Sequence, residues 1–361
     1  MILVFLKLKG RLIAYYNYLR KSIESQVITA ENKSHISEDI CYMATVDNHS
    51  WGYLFDCGRA RYLRAGDCKS LRAIFVTHTH IDHFCNFDTL LRHHIGLRRM
   101  ITICGPAGIA KNVQAKGLGY TWNLIKKRPA VYEVIELHNN RAEVFELAPP
   151  KWKLIKKDEY EIKDGICFKE KGVSVSYVAL DHKIPSLAYR LEEDSSLNIK
   201  DFPYRPGKWV KELKDAYEAG EEQKIIQVSE TEQLKAKDLF HYLYIKKGHS
   251  LCYVMDHLAS KENHQLLKKL MDEADEAVIE GFFRDCDRDY ALRHYHSTVR
   301  SSAAIARDSG VKKLTLCHHS RRYFKEIQDI REEGMAEFEN RSPKFSQQPI
   351  ARYSADEDCD E

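Results

Sequence analysis

Short apolar segments alternate with helical patterns along residues 50–335. Compact apolar runs bounded by polar turns predict strands, whereas apolar residues that recur every three or four positions predict helices. The predicted strands are 51–56, 73–78, 100–104, 131–137, 173–180, 251–256, 276–280 and 312–317. The predicted helices are 84–97, 107–116, 207–219, 261–273, 298–308 and 322–338. Ser297 or Thr298 could cap the fifth of these helices. The alternation predicts a layered α/β fold.

Two stretches depart from this pattern. Residues 195–247 are polar, highly charged and rich in helix formers, so we predict a helical appendage between two core strands. Residues 341–361 combine prolines and glutamines with an acidic end, which predicts a flexible tail. The sequence therefore predicts one main domain over residues 1–340 that carries the appendage.

The start of the chain and the composition indicate the cellular compartment. The chain opens with a short apolar run that precedes a basic residue, the reverse of a secretory signal, so we predict a first strand there. No apolar run approaches the ~20 residues of a membrane span. The ten cysteines are scattered without a CxxC pair, which suits a reducing compartment. We expect a cytoplasmic protein with no membrane contact.

Charge leaves the choice of partner open. Of the 361 residues 30% are charged, yet the formal net charge is only +3, so bulk charge does not indicate nucleic-acid binding. Local basic clusters at 126–128, 151–157, 205–214 and 321–322 permit a phosphate-bearing partner without requiring one.

Candidate chemistry is concentrated in one loop. An apolar strand leads directly into Thr77-His78-Thr79-His80-Ile81-Asp82-His83. In an extended backbone His78 and His80 point to one side, and Asp82 and His83 can turn toward a second point. Imidazole and carboxylate ligands suit zinc, with manganese or iron as alternatives. The sequence predicts a metal site here in preference to a histidine-rich surface loop.

Other predicted strands also deliver metal-ligating residues at their carboxyl ends, where open α/β sheets place their sites. These residues are Asp181-His182, Asp256 and His318-His319. Since neighbouring residues on a strand face opposite ways, only one of His318 and His319 is expected to bind.

The order of these motifs resembles the metallo-β-lactamase superfamily and, within it, ribonuclease Z, the tRNA 3′-processing endonuclease. The resemblance covers about residues 51–340. Its motifs are FDCG at 55–58, THTHIDH at 77–83, ICGPAGI at 103–109, HKIPSLAYRLEE at 182–193, ADEAVIEGFF at 274–283, HYHST at 294–298 and LCHHSRRY at 316–323. It implies an αββα sandwich with the appendage as an insertion, and the long interval before His182 indicates a further insertion around 139–170.

The resemblance also implies a site with two divalent metal ions. One ion would be held by His78, His80 and His182, the other by Asp82, His83 and His318, with Asp256 bridging. The serine two residues after His318 selects it over His319. His257 is expected to be a bystander, and it is unusual because the family commonly has threonine there.

The implied reaction is phosphodiester hydrolysis. Asp82 would orient the nucleophile or take its proton. The resemblance places Glu280 and His296 at the leaving group, with the histidine donating a proton and the carboxylate orienting it. A buried Glu280 that merely accepts from a backbone amide is the structural alternative.

Three departures bear on the substrate. The family's glycine-rich opening and its following proline–lysine–arginine–asparagine loop are not recognisable in residues 1–50, and Arg59-Ala60-Arg61 replaces the usual glutamate–glycine–threonine–glutamine. The appendage lacks a clear glycine–proline hallmark, although 206–211 has basic and aromatic character that would suit RNA.

Three functions therefore stay open. The first is cleavage of a tRNA precursor, with a homodimer as the family would suggest. The second is hydrolysis of another phosphodiester or a small ester. The third, a binding protein on an inactive hydrolase fold, is disfavoured because every expected ligand position holds a competent residue.

Overall fold

The computed structural model describes residues 28–344 except 37, 48, 126–129 and 171. The predicted N-terminal strand, the basic cluster at 126–128 and residues 345–361 of the predicted tail lie outside the described residues. Glu193–His249 form one compact unit, and the described residues on either side of it form a second, larger one. None of the helices in the described part of the chain has the length and hydropathy that crossing a membrane requires.

The first sheet of the larger unit has eight strands in sequence order. They are β1 (Ile28–Asn32), β2 (Tyr42–Val46), β3 (Gly52–Phe55), β4 (Leu71–Phe75), β5 (Met100–Pro106), β6 (Val131–His138), β7 (Arg141–Leu147) and β8 (Ile155–Glu161). Strands β3 to β6 run parallel, and the strands on both sides of them pair antiparallel.

The second sheet has six strands in the order β18-β17-β16-β11-β10-β9. They are β9 (Ile166–Glu170), β10 (Val173–His182), β11 (Ile184–Glu193), β16 (Ser250–Val254), β17 (Glu276–Glu280) and β18 (Lys313–Cys317). Because β16, β17 and β18 are parallel, their carboxyl ends lie at one edge of the sheet.

Helices cover the outer faces of the two sheets. The helices of the larger unit are α1 (Ala65–Ser70), α2 (Ile81–Phe84), α3 (Phe87–His94), α4 (Ile109–Leu118), α7 (Lys261–Leu270), α8 (Arg288–Arg293), α9 (Val299–Asp308) and α10 (Ile327–Phe338). Thr298 caps α9 by accepting a hydrogen bond from the Ser301 amide, which satisfies one of the free amides at the start of the helix.

Period-two alternation on the strands builds the layers. In β3, Phe55 faces the core between the sheets, whereas its neighbour Leu54 packs with residues of α3 and α4. In β16, Tyr253 faces the same central core, whereas Val254 packs with residues of α7 and α9. The result is a helix–sheet–sheet–helix sandwich, which confirms the predicted fold class.

The predicted elements differ from the structure in several places, and β1, β2, β11, α1 and α8 were not predicted. The predicted helix 84–97 is two helices, α2 and α3, and the predicted helix 322–338 begins with a 3₁₀ turn at Arg321–Glu326. Residues 139–170 contain β7, β8 and β9, so this segment contributes strands to both sheets. Strand β8 escaped prediction because charged side chains dominate it, and β9 escaped because its apolar run is only three residues long.

The smaller unit is a mixed structure, which corrects the expectation of a helical appendage. It contains α5 (Lys208–Glu218), α6 (Ala236–Leu239) and the strand pairs β12 (Ser196–Ile199) with β15 (Leu243–Lys246) and β13 (Ile225–Gln227) with β14 (Gln233–Lys235). Trp209 is buried in its core, where the indole donates to the Arg205 carbonyl oxygen. Trp209 is therefore not presented for stacking, whereas Lys208 and Lys211 are exposed.

Candidate metal centre

The loop after β4 carries the densest set of candidate ligands. The Leu187 amide donates to the Thr77 carbonyl oxygen, which joins the start of this loop to the second sheet. His80 has an extended backbone immediately before α2. As a result His78 and His83 are fully buried, while His80 is exposed and Asp82 is half-buried.

The structure brings all seven predicted ligands together in two groups. The ligand atoms within each group lie within 4.8 Å of one another. The first group consists of His78, His80, His182 and Asp256. The second group consists of Asp82, His83 and His318.

Asp256 lies between the two groups. Its Oδ2 atom is 3.6 Å from Nε2 of His78 and 3.6 Å from Nε2 of His182. The same oxygen is 3.4 Å from Nε2 of His83, and Oδ1 is 2.9 Å from Nδ1 of His318. One carboxylate thus faces donors from both groups, as a bridging ligand would.

Several of these atoms make no well-aligned hydrogen bond, although they are buried. They are Nε2 of His78, Nε2 of His83, Nδ1 of His318 and Oδ1 of Asp256. Burying a polar atom without a partner costs free energy, so such atoms in a folded protein call for an explanation. Divalent cations between these nitrogen and carboxylate donors would supply it, and the donor set fits them.

Asp56, the aspartate of the FDCG motif and not a predicted site residue, contacts the loop from the side opposite the ligand atoms. It is fully buried and accepts from the Thr77 amide at 2.8 Å and from the Tyr253 hydroxyl at 3.0 Å. It also lies 2.9 Å from Nδ1 of His83, which leaves Nε2 of that ring facing the site. A carboxylate behind a ligating imidazole fixes the ring and its tautomer.

At the other end of the site, a backbone carbonyl oxygen fixes the orientation of a histidine ring. Nδ1 of His182 lies 2.8 Å from the Tyr295 carbonyl oxygen and donates to it, which leaves Nε2 toward Asp256. Nδ1 of His78 lies 3.0 Å from the Thr77 hydroxyl. The imidazole orientations are therefore set by the protein.

Charges in the site perturb each other strongly. Burial alone would raise the pKa of Asp256, but the nearby His318 and His83 hold it well below its usual range. Burial would lower the pKa of His318, yet Asp256 and Asp82 raise it to about 10. Burial and the neighbouring His83 hold the pKa of His78 well below its usual value. The site is thus built around two ionised carboxylates.

Backbone geometry at the strand ends turns these side chains inward. Asp56, Asp256 and His318 have φ angles of 54°, 34° and 51°. Positive φ is uncommon for residues other than glycine and is concentrated at functional sites. Gly58 allows the FDCG segment to approach the loop, because a Cβ atom there would overlap the backbone oxygen of Asp82.

Glu280 and His296 form a pair beside the ligand cluster. Nδ1 of His296 lies 2.8 Å from Oε2 of Glu280, and the imidazole stacks on Phe282 at a centroid distance of 3.9 Å. Burial alone would raise the pKa of Glu280, but His296 and His257 lower it to about 2. Burial would lower the pKa of His296, and the Glu280 carboxylate raises it above its usual value.

The two histidines expected to be bystanders differ in their contacts. His319 lies behind the strand end, with Nδ1 2.7 Å from the Gly281 carbonyl oxygen, and burial lowers its pKa to about 4. His257 contacts the pair: its backbone amide donates to Oε1 of Glu280 at 2.7 Å and its Nδ1 lies 3.1 Å from the same oxygen. The only signal in the sequence was the unusual residue type after Asp256.

The amino-acid sequence is similar to those of known proteins. No family model matches the chain. It is 26% identical over 299 residues to ribonuclease Z of Exiguobacterium sibiricum, covering 80% of this chain and 85% of that one. It is 28% identical over 288 residues to ribonuclease Z of Lactobacillus gasseri, covering 76% and 79%.

The fold has a solved counterpart. The metallo-β-lactamase fold protein YhfI from Bacillus subtilis matches with a TM-score of 0.50 and 13% identity, covering 87% of this chain and 92% of that one. The chain therefore has the metallo-β-lactamase fold, and its site is suited to divalent metals. Within that class it resembles ribonuclease Z, as the motifs indicated.

Proposed function

We propose that the protein is a ribonuclease Z-like endoribonuclease that uses two divalent metal ions to cleave a tRNA precursor. The observation that carries the proposal is Asp256, which faces His78 and His182 on one side and His83 and His318 on the other. Relatives named ribonuclease Z support the choice of reaction. Zinc is the first choice of metal on the donor set, with manganese and iron as alternatives.

The ligand assignment follows the two groups. One ion would be held by His78, His80 and His182, the second by Asp82, His83 and His318, and Asp256 would contribute to both. When bound, two such ions supply a nucleophile at neutral pH and Lewis-acid polarisation of the phosphate.

The protein's own groups complete the reaction. Asp82 is the half-buried carboxylate of the second group, so it can both ligate and orient the attacking nucleophile or take its proton. His296 donates a proton to the leaving ribose oxygen. Glu280 orients that imidazole and stabilises its protonated form through the 2.8 Å contact between Oε2 and Nδ1.

A second candidate is hydrolysis of a smaller phosphodiester or an ester. The burial of Trp209 favours it, because the basic segment at 206–211 offers exposed lysines but no free indole to stack on an RNA base. A binding protein on an inactive fold is the third candidate, and the complete ligand set weighs against it.

The deciding experiment presents metal-loaded protein with a tRNA precursor that carries a 3′ trailer, beside bis-p-nitrophenyl phosphate. Cleavage at the tRNA 3′ end with turnover of the small diester is the expected result. Turnover of the small diester alone would contradict the RNA assignment and support the second candidate. No hydrolysis and no bound metal would support the third.

The proposal also includes a homodimer in the cytoplasm. Light scattering of the purified protein is expected to give twice the 42.0 kDa chain mass. Fluorescent tagging or fractionation of the source cells would check the compartment.

A further inference from the structure

We propose that His257 is a positioning residue: its imidazole holds the carboxylate of Glu280, and through it His296, in the orientation needed to protonate the leaving group. The inference rests on the proton-donor role proposed above for His296. His257 is fully buried, and neither of its ring nitrogens makes a well-aligned hydrogen bond. Its Nδ1 lies 3.1 Å from Oε1 of Glu280.

The two oxygens of Glu280 have different partners. Oε1 accepts from the His257 amide at 2.7 Å and from the Ser297 amide at 3.3 Å, and the His257 imidazole lies on the same side. Oε2 faces Nδ1 of His296 at 2.8 Å. Oε1 is therefore the anchored oxygen, and its anchoring decides where Oε2, and with it the imidazole of His296, can point.

The tautomer of a neutral His257 ring follows from its neighbour. An ionised carboxylate is an acceptor only, so a neutral imidazole beside it must carry its proton on the facing nitrogen. Nδ1–H is thus the tautomer that Glu280 favours. Hydrogen bonds to a charged acceptor are stronger than those between neutral groups.

The backbone around His257 is held from both sides. The amide of Leu258 donates to the Asp181 carbonyl oxygen at 2.8 Å. The Asn263 side chain donates to the carbonyl oxygens of Leu258 at 2.9 Å and Asp181 at 3.0 Å. These hydrogen bonds fix the backbone after His257 to the end of β10. Because the backbone is fixed, the ring of His257 can restrain the carboxylate of Glu280.

Leaving-group chemistry separates a positioning role from a structural one. A p-nitrophenolate leaves readily without a proton, whereas an unsubstituted phenolate is a poorer leaving group and gains more from a proton donor. We would therefore measure kcat and KM for a series of diaryl phosphates, from bis-p-nitrophenyl to diphenyl phosphate, with metal content determined for each variant.

His257→Leu and His257→Asn form a matched pair, since the two side chains have nearly the same shape and the asparagine amide can donate from the position of Nδ1. His257→Leu is expected to lose about tenfold or more in kcat on diphenyl phosphate beyond its loss on the nitrophenyl ester, consistent with one hydrogen bond to a charged group. KM and metal content are expected to change little. His257→Asn is expected to restore most of the difference.

Equal losses along the series for His257→Leu would overturn the inference, and so would an asparagine variant as impaired as the leucine variant. His296→Ala is measured in parallel. A steep leaving-group dependence in His296→Ala without one in His257→Leu refutes only the inference about His257. No dependence in either variant refutes the proton-donor role as well. Since the series contains no RNA, failure on a tRNA precursor is a separate result.

Discussion

Two buried clusters lie at the edge of the sheets: the proposed metal ligands and the group around Glu280. The polar atoms of these clusters differ in whether protein groups satisfy their hydrogen bonds. In the ligand cluster, Nε2 of His78 and Nε2 of His83 are buried without a hydrogen-bond partner. In the neighbouring cluster, Oε1 of Glu280 accepts from two backbone amides and Oε2 lies against His296. The first cluster is incomplete on protein atoms alone, whereas the carboxylate of the second is already satisfied.

This difference predicts that substitutions in the two clusters have separate effects on metal content and on activity. A change in the ligand cluster is expected to alter metal content and activity together, because the same atoms serve both. A change in the Glu280 cluster is expected to alter activity while the metals stay. The following changes test that separation, beginning with the largest expected effect.

Replacing the shared carboxylate is the most severe change. We expect Asp256→Ala to reduce turnover of both the tRNA precursor and bis-p-nitrophenyl phosphate to background, with a matching loss of bound metal measured by elemental analysis. Asp272→Ala removes an exposed carboxylate at the end of a different element and serves as the control. Retention of both metals in an inactive Asp256→Ala protein would contradict the bridging assignment.

Replacing His296, the proposed proton donor, leaves the proposed ligands untouched. We expect His296→Ala to lower kcat on the RNA by about 10²–10⁴-fold, the usual contribution of general acid catalysis, while metal content stays near two ions per chain. His294→Ala, at the nearby ring that stacks on Tyr290, is the control. Loss of the metals in His296→Ala would refute the proton-donor assignment.

Replacing Asp56, the carboxylate that contacts Nδ1 of His83, is expected to have an effect of intermediate size. We expect Asp56→Asn to weaken metal affinity by about 10–100-fold, because outer-shell carboxylates fix and polarise the imidazoles they contact. Activity should return as metal is added, which a titration of activity against free metal would measure. A variant with unaltered metal affinity would show that Asp56 only supports the fold around Thr77 and Tyr253.

His94 provides a reference for a buried histidine whose nitrogens are both satisfied by protein groups. Its Nδ1 accepts from the Tyr132 hydroxyl and its Nε2 donates to the Cys68 carbonyl oxygen. Burial lowers the pKa of His94 from 6.5 to about 4, so the unfolded chain binds more protons between those values and stability falls as pH is lowered through them.

The expected size of this effect is about 2 kcal/mol between pH 7 and pH 5, from the cost of ~1.4 kcal/mol per pKa unit. His94→Gln keeps a donor and an acceptor but does not titrate there. Chemical denaturation at the two pH values should therefore show a smaller fall in unfolding free energy for the variant. Equal falls in both proteins would show that His94 does not drive the pH dependence.

The proximity of the seven proposed ligands could be predicted from the sequence because these residues occupy strand ends, which periodicity locates. The loop at 77–83 and the residues Asp256 and His318 all follow apolar strands, and parallel strands bring such ends together. The strand predicted at 251–256 ends at Val254, two residues earlier than expected, and that places Asp256 in the turn where its φ can be positive.

Other features of the structure could not be predicted, because they depend on contacts between residues that are far apart in the sequence. The role of Asp56 arises from Tyr253, almost two hundred residues away in sequence. The contact of His257 with Glu280 depends on the pairing of β16 with β17. The smaller unit was expected to be helical because its charged residues are good helix formers, but the apolar positions Ile226 and Leu234 pair on two short strands.

Gly58 shows that mutational tolerance around this site need not follow chemical function. The residue has no side chain that could ligate a metal or transfer a proton, yet any Cβ there would push the backbone of Asp82 aside. Exposed Ile81 lies inside the metal loop itself and has room for many side chains. A deep survey of substitutions is therefore expected to find position 58 as restrictive as the ligands and position 81 permissive.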